Sequence, residues 1–188
     1  MVYQKLQFTL LCVAIIAASA FAQDNAFENW DPHFQQGDIS YSAAIGVSPW
    51  WGRTGLSLTP GMEFIFSEYR VGETVPLSFG VAAMGNISTD IGDGFSDLGV
   101  TVAGLATAHL GFKNVSEPLG WLSNFDLYFR LGLSYDIIRP DWFGNGRLRF
   151  ASIQGANYFI TETFAVLAES SHLGRYRNYL TLGVLWKV

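Results

Sequence analysis

The sequence is poor in cysteine and in charged residues. Cys12 is the only cysteine among 188 residues, and a single thiol near the amino terminus excludes both a disulfide framework and a thiolate metal site. Charged residues make up 14% of the chain, below the roughly 25% of an ordinary globular domain. The formal net charge of −5 argues against a nucleic-acid partner.

Long apolar runs are also missing beyond the amino terminus. No later segment has the roughly 18 consecutive apolar residues that predict a membrane-spanning helix. Yet hydrophobic residues make up 49% of the chain and aromatic residues 15%. A chain without a spanning helix can still cross a bilayer as a closed β-barrel, because every backbone polar group of such a barrel is paired.

The first 22 residues are typical of a secretory signal peptide. Lys5 precedes the apolar run 10–18, and Ala20-Phe21-Ala22 is a small-x-small cleavage site. We therefore predict a signal peptide over 1–22, cleaved after Ala22, and export to the cell outer membrane. Residues 23–37 have no hydrophobic period and are predicted to form a periplasmic tail, followed by a barrel domain over 38–188.

The clearest strand lies at 125–137, where seven large apolar residues alternate with polar or small ones. This period of 2 predicts a strand with two unlike faces, long enough to cross a bilayer with roughly 9–11 tilted residues. Seven further runs of this kind lie between 39 and 188. The sequence thus predicts an all-β fold, an eight-stranded antiparallel up-and-down transmembrane barrel. Irregular pairing is expected at Pro60 and a bulge near Ala151.

The predicted connectors differ in length. Short turns follow the second and sixth runs, at 72–74 and 161–163, whereas connectors of roughly eight residues follow the first, third and fifth. An even strand number, short periplasmic turns and longer outer loops are typical of bacterial outer-membrane barrels. The connector Lys113–Ser123 departs from this rule because it is long yet falls at the periplasmic end.

The C-terminal strand resembles the insertion signal of outer-membrane barrels. The residues that carry the resemblance are Thr181, Gly183, Trp186 and Val188, with Val188 in place of the usual final aromatic. As an architecture, 38–188 resembles the small eight-stranded barrels of the OmpA, OmpX and OmpW type. The resemblance implies two partners, the barrel-assembly machinery through the last strand and outer-membrane lipid. We expect a monomer.

Charged residues also fall on the predicted inward faces. Because a buried charge is costly without a partner, we predict an ion-pair network centred on Arg130, with Glu63 and Glu169 as its partners. Such a network is either a structural polar core, which we favour, or the gate of a narrow pore. The predicted lumen set is Glu63, Asp126, Arg130, Asp136, Arg149 and Glu169.

Aromatic residues near the predicted periplasmic strand ends are expected to form a girdle at the membrane interface. The predicted girdle is Phe112, Phe125, Tyr158, Phe164 and Trp186.

These features predict a structural outer-membrane component or a narrow pore for small solutes. The alternative is a loop-mediated adhesion or receptor-binding protein, since Trp50-Trp51 lies in an outer loop. A soluble periplasmic barrel is disfavoured because the large side chains of 125–137 would overfill its interior.

A lipid-modifying enzyme is the least favoured alternative. In the cluster 169–172, alternation places Glu169 and Ser171 on one face and Ser170 and His172 on the other, which separates the groups that a catalytic set needs. We expect no enzymatic activity and no cofactor. The three histidines have no metal-ligand spacing, so no metal site is predicted either.

Overall fold

The computed structural model describes residues 29–50, 53–72, 75–91, 98–115, 119–138, 148–173 and 176–188. The predicted signal peptide lies outside these residues. Eight antiparallel strands pair in sequence order, and the first also pairs with the last, which closes the barrel. The eight-stranded up-and-down barrel is therefore confirmed. The strands are β1 (Ile39–Trp50), β2 (Arg53–Val71), β3 (Val75–Ile91), β4 (Leu98–Gly111), β5 (Phe125–Ile138), β6 (Leu148–Phe159), β7 (Phe164–Leu173) and β8 (Tyr176–Lys187).

The two ends of the barrel have different connections. We call the end with 51–52, 92–97, 139–147 and 174–175 the loop end, and the end with residues 29–38 and Val188 the terminal end. The predicted length of the first connector is wrong, because only two residues separate β1 from β2. Two residues also separate β7 from β8. Pairing continues through Ser48 and Pro49 to Trp50, so β1 is longer than its hydrophobic pattern indicates.

Strand alternation directs polar residues inward and large apolar residues outward. On β5, Arg130 and Asp136 are buried inside, whereas Leu133 is 54% exposed on the outer face. The outward side chains of β1 follow the same rule, with Ile45 63% exposed. This arrangement is the reverse of a water-soluble barrel, in which the apolar face points inward.

Of the two expected pairing irregularities, the one at Pro60 is present and the one near Ala151 is absent. Pro60 stays in register opposite Ala43 of β1, but the β2–β3 register has no pair for Thr59 or Pro60. The β2 register also shifts between Ile65 and Ser67. The predicted bulge near Ala151 is wrong, since β6 pairs without a break with both neighbours. Ser152 and Gln154 consequently remain on the outward face.

The connector between β4 and β5 contains a 3₁₀ helix, Gly120–Asn124. No helix among the residues described is long and apolar enough to cross a membrane.

Residues 29–38, which we call the plug segment, lie against the terminal end of the barrel. Trp30 is 1% exposed and Phe34 fully buried, so the described part of the predicted tail 23–37 is not a separate leader. The aromatic residues in this segment have no period, but a closed barrel offers an apolar mouth that they can fill. The long connector Lys113–Ser123 forms part of that mouth, because Asp31 pairs with Lys113.

Candidate functional site: the polar lumen and its plug

Arg130 lies at the centre of the lumen, where β5 faces β2 and β7. One guanidinium nitrogen, Nη2, is 2.8 Å from Glu63 Oε2, and Nη1 is 3.7 Å from Glu169 Oε2. The Tyr128 hydroxyl donates to the same Glu169 oxygen at 2.6 Å, and the Arg130 guanidinium lies 4.4 Å from the centre of the Tyr128 ring. The structure thus brings together the three residues that the sequence assigned to one network.

His109 joins this network from β4. Its Nε2 lies 2.8 Å from Glu63 Oε1 and its Nδ1 lies 2.8 Å from Asp126 Oδ2. Both bonds require an N–H, so an imidazolium donates to the two carboxylates at once. Asn157 donates a further hydrogen bond to Asp126 Oδ2. Sequence reasoning missed His109, although its position on the polar face of β4 was a usable signal.

Asp136 and Arg149 form a separate group nearer the loop end. Arg149 Nε lies 3.1 Å from Asp136 Oδ2, and the Thr101 hydroxyl donates to Asp136 Oδ1 at 2.8 Å. Arg149 is 36% exposed, so this ion pair is partly solvated. The six predicted lumen residues therefore divide into a central cluster (Glu63, Asp126, Arg130 and Glu169) and a rim pair (Asp136 and Arg149).

Phe34 carries the plug segment into the lumen. Its ring centre is 4.4 Å from that of His109, and it packs with Ile65, Phe159 and Leu185 in one buried cluster. The Ser78 hydroxyl donates to the Phe34 carbonyl. Phe34 therefore covers the central cluster on the terminal side and keeps its charges from the water at the mouth.

Trp30 fixes the plug segment at the rim of the mouth. Its indole stacks on Phe112 with ring centres 5.3 Å apart, and its Nε1 donates to the Gly111 carbonyl. Val75, Leu110 and Val115 complete the buried cluster. Phe112 is 9% exposed and belongs to this cluster, so its placement in the aromatic girdle is wrong: β4 ends at Gly111 and the plug covers the residue that follows.

Polar contacts hold both ends of the plug segment. Asp31 forms a 2.8 Å ion pair with Arg70. The Lys187 ammonium donates to the His33 carbonyl at 2.8 Å and lies 3.2 Å from Asp38. Because Lys187 ends β8, the plug joins the last strand to the beginning of the first.

His33 lies in the wall of a pocket of about 640 Å³ at the terminal end, beside Lys113, Lys187 and Glu162. Its ring stacks on Phe159, and its Nε2 contacts the Ser123 carbonyl at 2.8 Å. Burial lowers the pKa of the His33 imidazole below its ordinary value of 6.5; Asp126 opposes this shift, and the lysines add to it. His33 is therefore neutral in the docked plug at pH 7.

The remaining girdle residues lie near the terminal end of the outer wall. Phe125 packs edge-on against Tyr158 with ring centres 5.1 Å apart, and Phe164 is the strand partner of Trp186. Trp121 of the 3₁₀ helix, 65% exposed, extends this band.

The residues of the predicted insertion signal lie on both faces of β8. Thr181 is fully buried in the lumen, whereas Trp186 and Val188 are 59% and 67% exposed on the outside. Gly183 is half-buried, and a side chain there would collide with the backbone of β1 at Ala43. Gly183 thus permits the close approach of β8 and β1 that closes the barrel.

The residues 169–172 divide between the faces of β7. Glu169 and Ser171 are buried in the lumen, and Ser170 and His172 are half-buried on the outer wall. Among the residues described, no group of three or more histidine, cysteine, aspartate or glutamate side chains is placed to hold a metal ion.

Comparisons with known proteins add two structures. The chain is similar to the outer membrane protein Ail of Yersinia pestis, solved in a phospholipid bilayer nanodisc, with 16% identity and a TM-score of 0.39 over 81% of this chain and 100% of that one. It is also similar to the translocator domain of the autotransporter NalP from Neisseria meningitidis, with 14% identity and a TM-score of 0.29 over 93% and 97% of the two chains. No family model matches the sequence, and no curated protein matches it.

Proposed function

We propose that this protein is an integral β-barrel of the bacterial outer membrane that serves as a structural envelope component with a sealed lumen. The observation that carries this proposal is the inverted surface. Leu133, Ile45 and Leu182 are each more than half exposed, whereas Arg130 and Glu63 are buried inside. An apolar exterior around a charged interior is favourable in lipid and unfavourable in water.

Lipid is the environment that accounts for the outer wall. A soluble protein rarely exposes contiguous apolar patches larger than a few hundred Å². Here the outward positions of neighbouring strands are large and apolar, and a girdle of Trp121, Phe125, Tyr158, Phe164 and Trp186 borders them at the terminal end. Aromatic side chains of this kind are enriched at membrane interfaces. The terminal end would then face the periplasm, and the loop end the exterior.

The contents of the lumen favour a structural role over a pore for small solutes. An eight-stranded barrel is only wide enough for its own side chains. The Arg130 cluster occupies the middle of this space and Phe34 the space below it. A solute would have to displace both a paired charge and a buried aromatic ring, so a narrow pore is the second candidate.

The connections at the loop end give little support to adhesion or receptor binding. The β1–β2 and β7–β8 connections have two residues each, and the longest connection is 139–147. A stable protein interface needs about 800 Å² on each partner, which is large for loops of this size. The separation of Ser170 and His172 from the lumen carboxylates likewise leaves an enzyme as the least supported role.

The test is fractionation of cells that express the full chain, followed by gel migration with and without boiling. We expect the protein in the outer-membrane fraction, with faster migration before boiling because the barrel stays folded in detergent. Planar-bilayer recordings of the purified protein should then give no steady conductance. A soluble protein whose migration is unchanged by boiling would overturn the membrane assignment, and a steady single-channel current would overturn the sealed lumen.

A further inference from the structure

The pocket at the terminal end lies where the plug segment meets two of the barrel's connections. Its wall includes His33 of the plug segment, Lys113 and Ser123 of the β4–β5 connector, and Glu162 of the β6–β7 turn. Its volume of about 640 Å³ falls within the roughly 300–1,000 Å³ of ordinary small-molecule sites. The space is therefore large enough for a small ligand or for the polar end of a larger one, and we call it the terminal pocket.

Two opposite charges of the terminal pocket are free to bind a ligand. Lys113 Nζ and Glu162 Oε1 are 3.7 Å apart, which is too long for a hydrogen bond. Within the described ranges of the chain, neither of these charged groups has a hydrogen-bond partner. The Glu162 side chain is 84% exposed, so the ion pair itself contributes little to stability. The ammonium can therefore donate to an anion, and the carboxylate can accept from a cation, without loss of a strong internal bond.

His33 adds a second hydrogen-bond acceptor to the terminal pocket. The Ser123 carbonyl can only accept, so its 2.8 Å contact with His33 Nε2 places the ring proton on that nitrogen. The neutral ring then has a lone pair on Nδ1, for which the described residues provide no donor. Lys187 is not available in the same way, because its ammonium is held by the His33 carbonyl and by Asp38. The pocket thus has one free ammonium and two free acceptors.

The terminal pocket borders the aromatic girdle on the outer wall. Asn124, in the wall of the pocket, donates to the hydroxyl of Tyr158, whose ring packs against Phe125. Ile160, also in the wall of the pocket, is 58% exposed. Aromatic girdles lie at the boundary between the acyl chains and the headgroups of a bilayer. A lipid headgroup can therefore enter the pocket while its acyl chains stay against the apolar outer wall.

We propose that the terminal pocket binds the headgroup of a zwitterionic phospholipid of the phosphatidylethanolamine class, in the leaflet at the terminal end. The phosphate accepts hydrogen bonds from Lys113, and the primary ammonium of the headgroup donates to Glu162 and to His33 Nδ1. An anionic headgroup fits less well, because it brings no cation to Glu162. A free zwitterion of the same chemistry would lack the contact with the girdle. This inference rests on the proposed membrane location.

The experiment measures lipid retained by the full-length protein in native mass spectrometry, after incubation in nonionic detergent with equal amounts of phosphatidylethanolamine and phosphatidylglycerol. We expect the wild type to retain phosphatidylethanolamine about fivefold better. Lys113→Gln should lower the retention of both lipids about fivefold, because both carry the phosphate. Glu162→Gln should instead remove the preference between them, because only phosphatidylethanolamine carries an ammonium.

The matched control is Arg149→Gln, which breaks a partly solvated ion pair at the loop end and should retain both lipids like the wild type. Equal retention of phosphatidylethanolamine by Lys113→Gln and the wild type would overturn the site. Free phosphoethanolamine bound as tightly as the lipid would assign the pocket to a soluble zwitterion instead. Heat-modifiable migration of every variant, with outer-membrane fractionation of the wild type, separates failure of this site from failure of the membrane assignment.

Discussion

The terminal half of the lumen and its loop half are filled by different kinds of residue. The terminal half contains Phe34, Phe159 and Leu185 together with the charges around Arg130. The loop half contains an aliphatic cluster with Met84, Leu105, Ile153 and Leu173, and the rim pair Asp136–Arg149 lies above it. Buried hydroxyl residues also line this half: Ser57, Ser88, Thr101, Ser134 and Ser171. The aromatic rings and the central charges thus lie in the terminal half, whereas aliphatic and hydroxyl side chains occupy the loop half, although both halves belong to the same strands.

The two halves should differ most in how much one arginine contributes to the free energy of unfolding. Arg130→Ala leaves Glu169 buried without a cation and Glu63 with His109 alone, which should lower the free energy of unfolding by about 3–5 kcal/mol. Arg149→Ala, the matched control, removes a partly solvated pair and should cost at most about 1 kcal/mol. Urea titration of the protein in lipid vesicles, followed by heat-modifiable migration, measures both values.

Conductance of the same two variants distinguishes a structural core from a gate. We expect Arg130→Ala to remain non-conducting in planar bilayers, because Phe34 still fills the lumen below it. A variant that keeps its stability and conducts ions would show that Arg130 is a gate and not a part of the core.

Substitution of Gly111, which lies under the plug segment, should have a smaller effect on stability. A methyl group at Gly111 would collide with the backbone nitrogen of His33, whereas Gly104 on the same strand has open space at its Cβ position. Gly111→Ala should therefore destabilise plug docking by about 1–3 kcal/mol. Gly104→Ala, the control, should leave docking unchanged.

Hydrogen exchange at two amides reports plug docking directly. The Asp31 amide donates to the Lys113 carbonyl and the Gly37 amide to the Ile65 carbonyl. Both should exchange faster in Gly111→Ala, while amides of β5 keep their protection. Loss of protection throughout the barrel would mean that the plug and the strands unfold as one unit.

The smallest effect is a dependence of plug docking on pH. Because burial lowers the pKa of His33 in the docked state, the undocked plug binds more protons, and docking loses stability as pH falls below the ordinary value of 6.5. Exchange at Asp31 and Gly37 should accelerate between pH 7 and pH 6, by at most about threefold, after correction for the intrinsic rate. His33→Gln should remove this dependence; its persistence would assign the titration to another group.

The sequence was sufficient to predict the eight strands and the pairing of Arg130 with Glu63 and Glu169, but not the contacts of His109 and Tyr128. Alternation assigns Glu63, Arg130 and Glu169 to inward faces, and the cost of burying a charge implies that they pair. The faces of 169–172 also follow from a period of 2.

The plug could not be predicted from the sequence. Trp30 and Phe34 lie in a segment without hydrophobic period, and the surfaces that bury them exist only when strands far apart in sequence close around them. Phe112 was misplaced for the same reason: the residue continues the alternation of β4, but the strand ends before it. A pattern of local alternation gives the face of a residue within a strand and gives no information beyond the strand end.

The plug also has a consequence for the order in which the barrel is built. Phe34 packs against Phe159 and Leu185, and Lys187 donates to the carbonyl of His33. The segment that leaves the ribosome before any strand therefore has no complete binding site until β8, the last strand, is in place. Docking of residues 29–38 must follow strand closure, so protection of the Asp31 and Gly37 amides marks the final step of assembly.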